Sequence, residues 1–172
     1  MYGFDSYDGA TPYGELIEAN NGQLVGTTSA GGYFGQSGTV YQVTTGGKLT
    51  ILHSFCQEPY CPDGDRPYTG VVQAPNGAIY GTTYERGLGF YGTAFEFVPP
   101  NTFSIVYTFC VQIGCADGAN SAGRLVVGTD GNLYGTTATG GDYNGGTIFR
   151  ITPDGTQAGV FPGKSNGTFV CR

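Results

Sequence analysis

The chain has 172 residues, of which 32 are glycine and only 12% are charged, and its formal net charge is −6. An acidic chain that is poor in lysine and arginine is repelled by a phosphate backbone, so the composition argues against nucleic acid as a partner. No apolar run approaches the ~20 residues that a membrane span needs. The opening MYGFDSYDG is neither basic nor apolar, so it does not resemble a signal peptide.

Three segments of the chain are near-copies of one another: NGQLVGTTSAGG, NGAIYGTTYERG and DGNLYGTTATGG. Their shared GTT begins at Gly26, Gly81 and Gly135, so the period is about 54 residues. A period just above ~50 residues is typical of propellers and related arrays. The sequence therefore predicts a single repeat domain, with repeat 1 at about residues 4–55, repeat 2 at about 56–109, repeat 3 at about 110–161 and a tail at 162–172.

Each repeat is predicted to contain four short strands, because abundant Gly with Thr, Tyr and Val favours strands joined by tight turns. The first strand (ELIEA, GVVQA or RLVVG) leads through a tight turn to the second (QLVGTT, AIYGTT or NLYGTT). A long glycine-rich loop precedes the third strand (TVYQV, TAFEF or TIFRI), and a strand that ends in Phe completes the repeat. The glycine inside the second strand is predicted to admit a neighbouring sheet at close range.

The predicted fold class is all-β, with three tandem four-stranded antiparallel units that resemble β-propeller blades. A β-trefoil or β-prism is the alternative, since these folds also use three four-stranded units. Tight hairpins alternate with long connections along the chain, and this pattern favours blades. Closed propellers have ~4–8 blades, so three blades would leave two bare faces. The chain is therefore expected to be a fragment or to associate with copies of itself, most simply as two chains in a six-bladed ring.

Two short loops, CQEPYC and CVQIGC, hold Cys56 with Cys61 and Cys110 with Cys115. A zinc site usually has further Cys or His ligands, and His53 is the single histidine, so an all-cysteine site would have to span two repeats. Disulfides are the favoured interpretation, and they indicate an oxidising compartment, either secreted or at the cell surface. The lack of a signal peptide then suggests a mature or truncated chain. The fifth cysteine, Cys171, would be free or paired with another chain.

Written out in full, the repeat resembles the GloVer tandem-repeat family of bacterial surface or secreted proteins of the choice-of-anchor type. The resemblance is carried by DGNLYGTTATGG, GGTIFRITPDG, LTILHSFC and CADGANSAG, and it covers Asp8 to roughly Phe161. It implies an extracellular repeat protein but supplies no catalytic residues. The chain departs from the family pattern in being short, in lacking a C-x4-C loop before Asp8, and in its tail PGKSNGTFVCR.

If the units are blades, the long connections share one edge of the molecule, here called the long-loop rim. Function commonly concentrates on loops that a rigid scaffold holds. Aromatic rings stack on the apolar faces of sugars, and carboxylates accept protons from sugar hydroxyls. Besides Tyr13, the rim holds the predicted ligand-binding residues Tyr33, Phe34, Arg66, Tyr68, Phe90, Tyr91 and Tyr143. The predicted partner is a glycan or a cell-surface ligand, and capping of the core ends by these rings is the structural alternative.

A secreted carbohydrate-active hydrolase is the competing hypothesis, and it requires two carboxylates across a cleft. Asp63 and Asp117 are candidates, but they recur because the unit recurs, whereas Glu85 does not. His53 occupies the position of Tyr107 in the next repeat, so it is expected to pack in the fold. A purely structural subunit is the third hypothesis. The sequence favours a non-enzymatic module.

No cofactor is predicted. A calcium ion needs about six to eight oxygen ligands. Asp63 and Asp65 offer two carboxylates, but Asp8 and Asp117 lack a matching second aspartate. Asp before Gly is also a common turn signal. Calcium is therefore the less favoured alternative.

Overall fold

The computed structural model describes residues 2–33, 36–155 and 158–160 of the chain. In this part of the chain there are thirteen β-strands and one single-turn 3-10 helix at Ile113–Cys115. The strands are β1 (Ile17–Glu18), β2 (Leu24–Thr28), β3 (Thr39–Val43), β4 (Leu49–Ser54), β5 (Val72–Gln73), β6 (Ile79–Thr82), β7 (Thr93–Val98), β8 (Thr102–Thr108), β9 (Ala119–Ser121), β10 (Val126–Val127), β11 (Leu133–Thr139), β12 (Ile148–Ile151) and β13 (Ala158–Val160).

The strands form three antiparallel sheets. The first sheet has the order β1-β2-β3-β4, the second β5-β6-β7-β8, and the third β10-β11-β12-β13, with β9 added beside β11. Each sheet is a meander in which strands that follow one another in the chain are also neighbours in space. The predicted all-β class with three four-stranded antiparallel units is confirmed.

A glycine in the second strand of each sheet pairs with an aromatic residue of the third strand: Gly26 with Tyr41, Gly81 with Phe95, and Gly135 with Phe149. A Cβ atom at any of these glycines would clash with the ring of its partner. The prediction that this glycine admits a neighbouring sheet at close range is therefore wrong. The glycine makes room for a ring from the paired strand of its own sheet, and that ring fills the space between sheets.

The apolar core lies between successive sheets in two clusters. One cluster joins the first and second sheets and includes Val40, Phe55 and Phe95. The other joins the second and third sheets and includes Phe109 and Phe149. Burying each of these side chains contributes about 1.5–3 kcal/mol, so face-to-face stacking of the sheets supplies most of the apolar stabilisation.

The phenylalanines that end the first and second predicted repeats, Phe55 and Phe109, pack on the third strand of the next sheet; Phe161, which ends the third, lies outside the described residues. The ring centroids of Phe55 and Phe95 are 5.4 Å apart, and those of Phe109 and Phe149 are 5.0 Å apart, both in edge-to-face geometry. Phe4 packs on Tyr41 in the same way, with centroids 5.1 Å apart. Phe4 therefore occupies the same position on the first sheet as Phe55 occupies on the second.

The first strands of the three sheets, β1, β5 and β10, converge on one side of the stack and are here called the inner strands. Glu15, Gly70 and Arg124 hold equivalent positions just before these strands, and the Arg124 guanidinium lies 2.7 Å from the Glu15 carboxylate. A Cβ atom at Gly70 would lie 2.5 Å from the carbonyl oxygen of Glu15. The first and third sheets therefore meet on the inner side of the second, as sheets arranged around a central axis do.

Tyr80 links the second sheet to the third. Its hydroxyl lies 2.5 Å from a carboxylate oxygen of Glu96 and 3.0 Å from the carbonyl oxygen of Pro153. Burial and the bond to Glu96 raise the pKa of Tyr80 to about 12. Tyr134 holds the equivalent position in the third sheet, where its hydroxyl donates to Asp130 at 2.8 Å.

Replacing Tyr80 by Phe is expected to lower the free energy of unfolding by about 1–2 kcal/mol, because two partly buried acceptors lose a donor. Tyr134→Phe is the matched control and should cost less than about 0.5 kcal/mol, since the partner Asp130 is exposed to water. Urea denaturation of both variants measures the difference. Equal losses in the two variants would show that Tyr80 does not join the sheets.

Candidate functional site

The long-loop rim is held together by backbone hydrogen bonds between successive repeats. In the second and third repeats, the segment that leads into the sheet bonds to the loop between the second and third strands of the preceding sheet. Arg66 N donates to Ser37 O at 3.0 Å, and Asn120 N donates to Tyr91 O at 2.8 Å. Loops from neighbouring repeats are therefore fixed beside one another, and side chains from two repeats can form one surface.

The lead-in segment also pairs with the loop of its own repeat, and here the second repeat differs from the other two. The paired residues are Ala10 with Ala30 in the first repeat and Ala119 with Thr139 in the third. In the second repeat they are both acids, Asp65 and Glu85. The second repeat thus places two carboxylates side by side where the same scaffold elsewhere carries small or neutral residues.

Each of these two acids is followed by an arginine in the left-handed backbone region. Arg66 has φ +57°, and its equivalents Thr11 and Asn120 lie in the same region. Arg86 has φ +63°, and its equivalents are Gly31 and Gly140. A non-glycine residue in this region costs about 1–2 kcal/mol. Glycine is the unstrained choice at residue 86, so the arginine there is retained at a cost. Departures of this kind are expected at functional sites.

Asp65, Arg66, Glu85 and Arg86 are here called the charged cluster. Arg66 Nη1 lies 3.3 Å from Glu85 Oε1, and both side chains are more than one-third exposed. A pair of this kind contributes about 0–1 kcal/mol, so stability does not explain it. Burial raises the pKa of Asp65, against the opposing effects of Arg66 and a hydrogen bond from Ser37. Within the described residues, Oδ1 of Asp65 is buried without a hydrogen-bond partner.

A row of three tyrosines lies beside the charged cluster. The Tyr68 ring is 5.4 Å from the Tyr84 ring in edge-to-face geometry and 6.3 Å from the Tyr13 ring. Tyr13 is 72% exposed. A hydrogen bond with Tyr68 is the main cause that raises the pKa of Arg66. The tyrosine row (Tyr13, Tyr68 and Tyr84) and the charged cluster therefore form one surface.

The other predicted ligand-binding residues lie in the loops of the rim, and the backbone of Phe90 and Tyr91 adjoins that of Arg86 in the charged cluster. Tyr33, Phe90, Tyr91 and Tyr143 are exposed, Tyr143 to 85%. Among the described residues, no ring contact joins them to the tyrosine row. Tyr33 lines a separate groove of about 540 Å³ beside β4, together with Tyr2 and Asp8. Phe34 lies outside the described residues.

Asp63 and Asp117, the predicted catalytic candidates that recur with the repeat, both accept hydrogen bonds from a cysteine loop. Asp117 is buried, and its carboxylate accepts the Tyr107 hydroxyl at 2.8 Å and the Val111 N–H at 3.0 Å. Asp63 accepts the Cys56 N–H at 3.0 Å and lies 2.9 Å from His53 Nε2. His53 and Tyr107 therefore have equivalent roles, since each contacts the aspartate of its cysteine loop. Of the three catalytic candidates, Glu85 is the one whose carboxylate does not bond to a loop backbone.

The cysteine loops are closed by disulfides, Cys56–Cys61 and Cys110–Cys115, which confirms the favoured interpretation. Cys171 lies outside the described residues. In the same part of the chain, no group of three or more His, Cys, Asp or Glu side chains is arranged to hold a metal ion. None of the described helical segments is long and apolar enough to cross a membrane.

Tyr84 and Arg86 are not among the residues predicted from the sequence, and Asp65 is named there only as a calcium ligand. The signal that could have found them is the comparison of the three repeats position by position. At residues 85 and 86 the repeats read AG, ER and TG. The second repeat stands out there, although only the pairing of Asp65 with Glu85 shows that the two departures meet.

Stacked four-stranded meanders with their long loops on one rim define a β-propeller-like repeat protein. The chain belongs to the Gloeobacter/Verrucomicrobia repeat family, whose sequence model matches residues 1–162. This match confirms the resemblance to the GloVer repeats. A search of curated protein sequences gives no match.

Solved structures of β-propeller proteins share the fold. Virginiamycin B lyase from Staphylococcus aureus superposes with a TM-score of 0.57 at 16% identity, covering 96% of this chain and 44% of that chain. The aldose sugar dehydrogenase of Streptomyces coelicolor, in its PQQ-bound form, gives 0.51 at 19% identity and covers 86% of this chain and 46% of that chain. This chain therefore spans a little under half of each structure, and the likeness is one of fold.

Asp65→Asn is expected to raise the melting temperature at neutral pH, because the folded state disfavours the charged carboxylate. The folded-state pKa of Asp65 is raised, so the parent regains stability as the pH falls through that pKa. The advantage of the variant should therefore disappear in acid. Asp142→Asn, at an exposed loop residue, is the control and should show no such trend. A variant less stable than the parent at neutral pH would show that Asp65 is a structural anchor.

Proposed function

We propose that the chain is an extracellular repeat module that binds glycans through the long-loop rim, and that the charged cluster and the tyrosine row form the binding surface. The observation that carries this proposal is the departure of the second repeat from its two siblings. Four charged side chains stand there where the other two repeats have none, and one of them, Arg86, occupies a left-handed backbone position that is glycine in both siblings. The same module is proposed to associate with copies of itself through its bare sheet faces.

The chemistry of this surface suits a sugar. Tyrosine rings offer flat apolar faces to the C–H groups of a pyranose, and their hydroxyls remain available at the edge. Carboxylates accept protons from sugar hydroxyls, and guanidinium groups donate to sugar oxygens. The exposed rings of Phe90, Tyr91 and Tyr143 could extend contact with a longer chain along the rim. The disulfides and the family support an extracellular setting.

A carbohydrate-active hydrolase is the second candidate, and the pairing of Asp65 with Glu85 favours it. A glycosidase needs one carboxyl group that keeps its proton and one that does not. Burial raises the pKa of Asp65, whereas Glu85 lies against Arg66. Asp65 would be the acid and Glu85 the base or nucleophile. Asp63 and Asp117 fit these roles less well, because loop N–H groups already occupy their carboxylates.

Glycan binding is tested on a glycan array, followed by calorimetry with the best ligand. Tyr68→Ala is expected to weaken binding about tenfold, as the loss of one stacked ring costs about 1 kcal/mol or slightly more. Tyr7→Ala removes another exposed tyrosine, 71% accessible and outside the surface, and should bind like the parent. A parent protein that binds no glycan, or a Tyr68→Ala variant that binds as well as the parent, would contradict the proposal.

The hydrolase candidate is tested by product release from polysaccharides that bind. Glu85→Gln keeps the shape of the side chain and removes its charge, so turnover should fall by at least about a hundredfold if Glu85 acts in proton transfer. Asp63→Asn is the control and should retain turnover if the protein stays folded. A parent that binds glycans without releasing product would contradict the hydrolase candidate and favour the non-enzymatic module.

A further inference from the structure

Each sheet has a leading face toward the preceding repeat and a trailing face toward the next. The trailing face of the second sheet is covered by the third, and its Val72 and Ala94 are 8% and 1% exposed. At the equivalent positions of the third sheet, Val126 and Ile148 are 61% and 56% exposed. The trailing face of the third sheet is therefore a bare copy of an interface that the chain forms internally.

The identity of the residues strengthens this comparison. Val72 pairs with Tyr80 in the second sheet, and Val126 pairs with Tyr134 in the third. The same Val and Tyr thus occupy the same places, and in the second sheet both lie in the core against the third sheet. The third sheet keeps the residues of an interface on a face that has no neighbour within the described chain.

The leading face of the first sheet is also partly uncovered within the described chain. Leu16 is 49% exposed, whereas its equivalents Val71 and Leu125 are 0% and 1% exposed. Leu16 lies over Gly26 beside the Tyr41 ring, as Leu125 lies over Gly135 beside Phe149. Phe4 covers the outer part of this face. The inner part is already packed in the arrangement that receives a preceding sheet elsewhere in the molecule.

We propose that the trailing face of the third sheet docks on the leading face of the first sheet of a second copy of this chain. This inference rests on the proposed self-association and is independent of glycan binding. The trailing face of each copy packs on the leading face of the other. Two identical contacts therefore form, and all four bare faces are buried. Two chains then make a ring of six sheets, within the ~4–8 blades of closed propellers.

A polar contact fits the same junction. Inside the chain, Asn20 N donates to Gln73 Oε1 at 2.8 Å across the first and second sheets. The equivalent groups at the proposed junction are the backbone N–H of Thr129 and the carboxylate of Glu18. An N–H facing a carboxylate is a stronger pair than an N–H facing an amide. The junction would thus resemble the interface of the first and second sheets, with a charged acceptor, rather than that of the second and third sheets, where Pro75 and Val127 cannot form this bond.

The test is the mass in solution, measured by light scattering on the 172-residue chain at several concentrations. The parent should have twice the 17.9 kDa mass of one chain. Ile148→Asp blocks only the trailing face and Leu16→Asp only the leading face, and each should give monomers. An equimolar mixture of the two variants keeps one intact pair of faces, so dimers should reappear. Leu88→Asp, at an 80% exposed residue of a rim loop, is the control and should stay dimeric.

A parent that is monomeric at every concentration would overturn the proposal, and the bare faces would then belong to other repeats of a longer chain. A dimer that survives both blocking variants, or an open polymer, would overturn it as well. Circular dichroism of each variant checks that monomers are folded; if an aspartate unfolds the chain, Ile148→Ser and Leu16→Ser replace it. Glycan binding by Tyr68→Ala is measured separately, so failure of either proposal is recognised by itself.

Discussion

The contact between a glycine and the aromatic ring across from it is the constraint on which the rest of this fold depends. In all three sheets the ring of the third strand lies over the glycine of the second, at Gly26, Gly81 and Gly135. The ring can lie there only because the glycine has no Cβ atom. It then fills the gap to the preceding sheet and receives the phenylalanine that ends the preceding repeat. Glycine lowers strand stability by itself, and the packed ring offsets that cost.

The functional surface follows from this stacking. Stacked sheets bring the long loops of neighbouring repeats to one rim, and backbone hydrogen bonds such as Arg66 N to Ser37 O hold them in place. The three repeats share that scaffold, so each serves as an internal reference for the other two. Against this reference the second repeat is unusual: it pairs Asp65 with Glu85 and places Arg86 where its siblings have glycine. The stability of the fold does not require these four charges, which is the reason to assign them to a ligand.

The four-stranded meander of each repeat could be predicted from the sequence, because GTT recurs with a constant period and the third strand alternates between apolar and mixed faces. The additional strand β9, which pairs with β11, was not predicted. The partner of the strand glycine could not be predicted, since pattern alone does not distinguish a ring of the same sheet from an approaching sheet. Arg66 and Glu85 were predictable as residues that do not recur. Their meeting with Asp65 and Arg86 depends on the register of Asp65 with Glu85, which are separated by a long stretch of loop and strand.

Asp63 and Asp117 illustrate the opposite limit. Their sequence context, Asp before Gly in a rim loop, suits either a turn or a reactive carboxylate. Only the structure shows backbone N–H groups from the cysteine loops already donating to both carboxylates. The role of Phe4 could not be predicted either. Its loop to Asp8 lacks the C-x4-C insertion, so its spacing from the aspartate differs from that of Phe55 and Phe109.

A double-mutant cycle between Gly81 and Phe95 tests the glycine–ring contact most directly. Gly81→Ala, Phe95→Leu and the double variant are compared with the parent by urea denaturation. Gly81→Ala should cost about 1–3 kcal/mol in the parent, because the new methyl group displaces the ring. The same change should cost at least about 1 kcal/mol less in the Phe95→Leu background, where the smaller side chain leaves room for the methyl group. Costs that add within about 0.5 kcal/mol would contradict the contact as the basis of the fold.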